Sequence, residues 1–377
     1  MKEIIVYQTS SLYRDDFRVK GYVFGQGEKS LCIVGSLRGH EYQQLYMASQ
    51  LVKYLKDMEN AGMIESGKQI LVIPTLNPSS MNISKQFWAI DNTDINRMFP
   101  GYDQGETTQR IAAGVFDVVN KYENGIQFSS FYMPGSFMPH VRLTHTGYEN
   151  LDKAADFGIP YVVVRKPHPY DTTTLNYNWQ VWETDAYSLY SSTTRNIDPV
   201  SAEIVLDGAK RFMVKNNILR EAAIADADPL GIGNCPENSE HSGTAQANIE
   251  NKNTCKPGCA NARNEQKNGE AESGISAQND EIKCCKTEGF KPRIFYDTEM
   301  IPVRNKTAGF YKPQVKPGDR VKKGDVCAEI YDTCNGEKTE ELISPADGII
   351  FFQQDEPLVF ARTAAVKVLP DADGSSF

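Results

Sequence analysis

A short apolar run at residues 31–34 stops at Gly35, turns through residues 36–39 and opens at Glu41 into a helical pattern. Strand, glycine turn and helix in that order form the repeating unit of an α/β sheet. Such a unit restricts the chain to folds in which buried strands feed covering helices. The carboxyl end of a strand of this kind is also where open α/β sheets hold their ligands. The alternation continues along the chain. Strands are expected at 3–7, 18–24, 69–74, 126–131, 161–165 and 186–190, and helices from 41 to about 58, from 106 to 122 and from 198 to about 219. In the first helix Tyr42, Leu45, Tyr46, Leu51, Val52 and Leu55 form the expected buried stripe. Asp198-Pro199 reads as an N-cap followed by proline at the first helical position. The expected fold class is therefore α/β, a mostly parallel sheet with helices on both faces.

Between Phe212 and Phe290 there is no aromatic residue, and from about 226 to 288 the chain is dominated by Asn, Gly, Glu, Ser, Lys and Ala. A stretch so poor in core-forming groups buries too little surface to offset its ordering entropy. It divides the chain into an α/β domain at 1–222, a flexible linker at 223–290, a β domain at 291–370 and a tail at 371–377. In the β domain a hairpin is expected at 318–325 and a second turn–strand unit at 344–350. This small all-β region resembles the barrel-sandwich hybrid of biotinyl and lipoyl carrier domains. Lys322-Lys323 sits in the wrong turn for a modified lysine, so a carrier role is not expected.

The net charge of −9 argues against nonspecific nucleic-acid binding. The first ten residues lack the basic and apolar regions of a signal peptide, and no run approaches a membrane span, so a cytoplasmic protein is expected. The eight cysteines are then expected as free thiols. Cys255-x3-Cys259 and Cys284-Cys285 are too irregularly spaced to define a metal site.

The turn Ser36-Leu37-Arg38-Gly39-His40-Glu41 resembles the zinc-binding turn of the succinylglutamate desuccinylase/aspartoacylase family, within the wider zinc carboxypeptidase-like group. That turn reads Gly-x-His-Gly-Asn/Asp-Glu in the family, with the histidine and the glutamate on the metal. A second match is Asp94-x-Asn96-Arg97-x-Phe99-Pro100-Gly101. The resemblance implies that Asn96 and Arg97 bind the carboxylate of the substrate's amino-acid part, which suits an amide donor and a guanidinium fork. Without that role, Arg97 would be tied to Asp94, with Phe99-Pro100 in the core. The resemblance covers the whole chain except the linker, because the family also ends in a small β domain.

The residues that would perform hydrolysis are replaced. Arg38 stands at the first histidine position, and a guanidinium has no lone pair to give a metal. The second histidine position falls on Ser129 by a gapless count from Pro139-His140-Val141-Arg142, or on Ser130 or Phe131 if the register shifts. Tyr190 occupies the position of the catalytic glutamate, and a phenol with a pKa of about 10 is a poor proton acceptor at neutral pH. An altered zinc site built from His40, Glu41 and His140 is the alternative, whereas His145, His168 and His241 read as loop or surface residues.

Arg38 and Glu41, three apart at a helix start, lie within salt-bridge reach. Arg38 is thus expected to stand in electrostatically for the metal, and with Arg97 to make a pocket for a small acidic molecule or a peptide carboxylate. Three readings follow: a degenerate binding or regulatory protein without a cofactor, an active zinc-dependent amide or ester hydrolase, or a subunit partner of an intact paralogue. Neither nucleic acid nor a membrane is an expected partner.

Overall fold

The computed structural model describes residues 1–11, 15–131, 133–225 and 291–371. The expected linker, the tail after residue 371, His241 and five cysteines (Cys235, Cys255, Cys259, Cys284, Cys285) fall on positions almost all outside these residues; the three remaining cysteines, Cys32, Cys327 and Cys334, are free thiols.

The first half alternates strands and helices. Strands β1 (Lys2–Thr9), β2 (Phe17–Gly25) and β3 (Glu28–Ser36) lead to helix α1 (Tyr42–Asn60), β4 (Lys68–Thr75) and the short α2 (Pro78–Met81). Helix α3 (Thr107–Val119) precedes β5 (Asn124–Ser129), β6 (Ser136–Phe137), β7 (His140–Thr144), α4 (Leu151–Ala154) and β8 (Tyr161–Arg165). Helix α5 (Leu175–Val181), β9 (Asp185–Tyr190), α6 (Pro199–Lys215) and α7 (Ala222–Ala225) complete this half. After residue 290, β10 (Arg293–Tyr296) joins the large sheet, whose order is β1-β2-β4-β3-β5-β9-β7-β8-β10. Strands β4, β3, β5 and β9 pair in parallel, β7 runs antiparallel to β9, and β7, β8 and β10 are again parallel to one another.

The central strands are covered on both faces, which is why 31–34 reads as an uninterrupted apolar run. Ile33, Ile126, Tyr187 and Leu189 pack on one face with Met47, Leu51 and Leu55 of α1 and Val205 and Phe212 of α6. Cys32, Val34 and Ala186 face the other way, against Ile111 and Val115 of α3 and Leu175 and Trp179 of α5. The stripe on α1 differs from expectation. Gln43, Gln44, Met47, Ala48, Leu51 and Leu55 are buried, and Tyr42, Leu45, Tyr46 and Val52 are only half-buried. Hydrophobicity missed the glutamines because hydrogen bonds offset their burial. Gln44 donates to the Ser129 carbonyl (3.2 Å), and Gln43 both donates to the Asp198 carbonyl (2.9 Å) and accepts from the Asp198 N–H (2.9 Å).

The remaining strands are β11 (Ile301–Arg304), β12 (Gly309–Pro313), β13 (Arg320–Val321), β14 (Val326–Tyr331), β15 (Lys338–Ile343), β16 (Gly348–Gln353), β17 (Leu358–Val359) and β18 (Ala364–Pro370). They form two antiparallel sheets, β11-β18-β16-β13 and β15-β14-β12-β17, around a core containing Ile330, Leu342, Ile350 and Val368. The hairpin expected at 318–325 is instead a crossing between sheets: β13 pairs with β16, and β14 belongs to the other sheet. Asp325 and Asp347 accept from the N–H groups of Lys322 and Lys323 (2.8 and 2.7 Å), fixing a turn that redirects the chain. Strand β6, from the first half, pairs with β16 and places Phe137 opposite Phe352. Among the described residues no helix is long and apolar enough to cross a membrane.

Candidate functional site

The turn after β3 is held by its own side chains. Glu41, 2% exposed, folds back so that Oε2 accepts from the backbone N–H of Leu37 (2.7 Å) and Arg38 (3.1 Å). Its Oε1 accepts from Arg38 Nη1 (3.1 Å) and Ser130 Oγ (2.5 Å). Arg38 meets Asp94 as a two-bond fork, Nη2 to Oδ2 at 2.8 Å and Nε to Oδ1 at 3.1 Å. Burial alone would push the guanidinium below its ordinary value, but Glu41 and Asp94 outweigh it and hold Arg38 above that value. Gly39 is required here by close approach, because a Cβ on it would lie 2.3 Å from the Ser80 carbonyl carbon.

Beside this network opens a cavity of about 760 Å³. Its sheet-side lining comes from side chains two apart on adjacent strands: Gln127 and Ser129 of β5, Ser188 and Tyr190 of β9, Arg142 and Thr144 of β7. Asp297, Met300, Phe352 and Lys367, from beyond residue 290, also line it. Arg38, Asn96, Arg97 and Tyr190 all line the cavity; Glu41 lies beneath Arg38, outside the lining.

Arg97 pairs with Asp171 (3.3 Å) and donates to the Tyr170 carbonyl (2.7 Å), so its partner is not Asp94. Asn96 Oδ1 accepts from the Leu175 N–H at the start of α5 (3.1 Å). Next to that contact Asn176, 6% exposed, leaves both amide atoms without a partner among the described residues at the cavity wall. An orphaned buried amide is costly to a protein and inexpensive only when a ligand or water answers it.

Among the described residues the histidines do not converge with Glu41 into a metal site. His140 is the first residue of β7, fully buried, its ring stacked on Tyr190 (centroids 4.7 Å, planes 2° apart). Its Nδ1 donates to the Met138 carbonyl (2.8 Å), and burial, then Arg142, push it well below the usual imidazole range. His40 is also lowered, by burial and by Arg195 and Arg38 against Glu41, and neither histidine lines the cavity. Among the described residues no group of three or more His, Cys, Asp or Glu side chains is placed to hold a metal ion. The residues of the turn after β3 do not fit zinc either: Arg38 has no lone pair, and both Glu41 oxygens already take two donors each. Ser130, one of the two shifted-register candidates, is the serine that faces Glu41, whereas Ser129 Oγ donates back to the Gln127 carbonyl (3.4 Å).

Sequence reasoning missed Arg142, Arg165, Asp171, Asn176 and Lys367. The alternation His140-Val141-Arg142-Leu143-Thr144 and the lone lysine in Ala-Ala-Val-Lys367-Val-Leu were the available signals for two of them. Arg142 donates to the Tyr190 hydroxyl (3.1 Å) and lies over the rings of Tyr190 (4.4 Å) and Phe131 (4.6 Å).

No protein-family model matches the sequence, and no curated protein does. Solved structures match over nearly the full length. A succinylglutamate desuccinylase/aspartoacylase from Rhodobacter sphaeroides aligns with a TM-score of 0.66 at 15% identity, covering 98% of this chain and 95% of that one. The product-bound ectoine utilization protein EutE (DoeB) from Ruegeria pomeroyi gives 0.63 at 14% identity, covering 94% and 91%. An aspartoacylase family protein from Mesorhizobium loti gives 0.63 at 13% identity, covering 95% and 90%.

Proposed function

This chain has the fold of the succinylglutamate desuccinylase/aspartoacylase family, and on that fold we propose a protein that binds a small acidic molecule or a peptide carboxylate without cutting it, in a binding or regulatory role. The observation that carries the reading is the saturated Glu41 carboxylate, which takes two backbone donors, Arg38 and Ser130. A hydrolytic zinc site needs three protein ligands, an open water position and a nearby carboxylate base. In this reading the Arg38 guanidinium takes over the charge balance of that site, and Tyr190, bonded to Arg142, replaces the base.

The cavity retains groups that call for a polar ligand. Asn96 and Asn176 adjoin at the start of α5, and Arg97, partly neutralised by Asp171, stands beside them. The ligand carboxylate is assigned to this corner. The two antiparallel C-terminal sheets are taken as a barrel-sandwich hybrid that closes the cavity. The free thiols of Cys32, Cys327 and Cys334 suit a reducing, cytoplasmic setting.

The test is metal analysis of the purified protein combined with calorimetric titration of succinate. Succinate binding without stoichiometric zinc, weakened at least tenfold by Asn176→Ala or Arg97→Gln, is the expected result. One equivalent of zinc whose removal abolishes an amidase or esterase activity would overturn the reading in favour of an altered hydrolase.

A further inference from the structure

The carboxylate corner leaves the rest of the cavity unexplained. There, strand register sets three side chains abreast: Phe137 of β6 opposite Phe352 of β16, and Phe352 opposite Lys367 of β18. Phe131 stacks on Phe137 (planes 6° apart), and Arg142 lies over Phe131. One aromatic wall therefore connects a guanidinium on the large sheet to an ammonium on the C-terminal sheet.

Neither cation is neutralised. Arg142 lies over the neighbouring rings of Phe131 and Tyr190, whose centroids are 4.5 Å apart, and among the described residues only its Nη1 has a hydrogen-bond partner, the Tyr190 hydroxyl. Its Nε is buried without a partner, so the Nε–Nη2 edge is left for an acceptor. Among the described residues the Lys367 ammonium makes no hydrogen bond or ion pair, and burial, then Arg142, lower its proton affinity. Arg165, shared with Asp171 (3.1 Å), adds to the positive field and also keeps a buried, unpartnered Nε. Asp297 opposes this field on both Arg142 and Lys367 but forms no ion pair with either. Two like charges held together in a partly desolvated wall are unfavourable unless a ligand balances them.

We propose that Arg142 and Lys367 form a binding site for a doubly charged oxyanion, a phosphate monoester, whose apolar remainder lies on Phe131, Phe137 and Phe352. A single carboxylate balances only one of the two cations, whereas a phosphate monoester carries about −1.5 to −2 at neutral pH with three acceptor oxygens. The guanidinium edge suits two of those oxygens and the lysine a third. The Tyr190 hydroxyl accepts from Arg142 and keeps its own hydrogen to donate. The inference rests on the reading of the cavity as an anion site and adds the class of anion.

Calorimetric titration of the full-length protein with phenyl phosphate, inorganic phosphate and succinate tests it. Phenyl phosphate is expected to bind at least tenfold tighter than inorganic phosphate, and Lys367→Met or Arg142→Lys to weaken it at least tenfold. Lys367→Met is expected to melt no lower than the parent without ligand, because it removes a repelled, unpaired charge. Succinate binding without phenyl phosphate binding, or phenyl phosphate binding indifferent to both variants, overturns the inference and leaves the carboxylate reading standing. Failure of both probes to bind overturns both.

Discussion

Replacing Arg38 by methionine keeps the length of the side chain and removes its charge, which strands two carboxylates at once. Glu41 is 2% exposed and would keep three of its four donors, the Leu37 and Arg38 N–H groups and Ser130. Asp94 would keep the Asn96 N–H (3.1 Å). Removing one partner of a buried ion pair costs about 3–5 kcal/mol, much of it the penalty of leaving the other charge unpaired. The surviving donors place Arg38→Met near the lower end, about 3 kcal/mol. At about 2 °C per kcal/mol for a chain of this size, the midpoint of thermal unfolding should fall by about 6 °C. Adding Glu41→Gln removes the stranded charge, and the double variant should recover about half of the loss. Urea unfolding followed by circular dichroism measures both. A single variant within 1 kcal/mol of the parent, or a double variant less stable than the single one, would refute the claim that Arg38 exists to balance Glu41.

Acid should destabilise the protein through His140. Its folded proton affinity is depressed, so its contribution is fully present above the unfolded pKa of about 6.5 and is lost as pH falls below it, by at most about 1.4 kcal/mol per pH unit. His140→Gln should flatten the stability profile between pH 6.5 and 5, and an unchanged profile in urea titrations would rule this residue out as the source. Gly39→Ala drives a methyl group into the Ser80 backbone at 2.3 Å and should cost about 2 kcal/mol or more while loosening Arg38. Unaltered unfolding of that variant would show that the turn has room to relax. Leu51→Ala, in the fully buried stripe of α1, should cost about 2–5 kcal/mol in the same assay, and a smaller loss would mean that the helix collapses onto the cavity.

The sheet strands that are covered on both faces were the most legible part of the chain. Residues 31–34, 70–74 and 161–164 are apolar without alternation because helices or strands lie on either side of them. Strand β7 was not foreseen: it alternates, with Val141 and Leu143 in the core and Arg142 and Thr144 on the cavity, and the cavity is invisible until the sheet closes. Helix α5 escaped for a related reason. Its buried face includes Asn176, Asn178 and Gln180, which periodicity counts as polar.

Local chemistry in the chain determined the turn after β3, because Arg38 and Glu41 are three residues apart and their meeting needs only a helix start. It also placed in that turn Arg38, whose guanidinium has no lone pair to give a metal, since that is a matter of residue type. Only the tertiary structure decided where positive charge is left over. Asp94 reaches Arg38 from 56 residues away and neutralises it together with Glu41, and Asp171 reaches Arg97 from 74 residues away and neutralises it in part; these are the two arginines that the sequence made conspicuous. Arg142 and Lys367 are 225 positions apart in the sequence and share one wall only because strands of two different sheets lie against each other. Charge balance in a cavity depends on distances of a few ångströms through space, and no reading along the chain measures those.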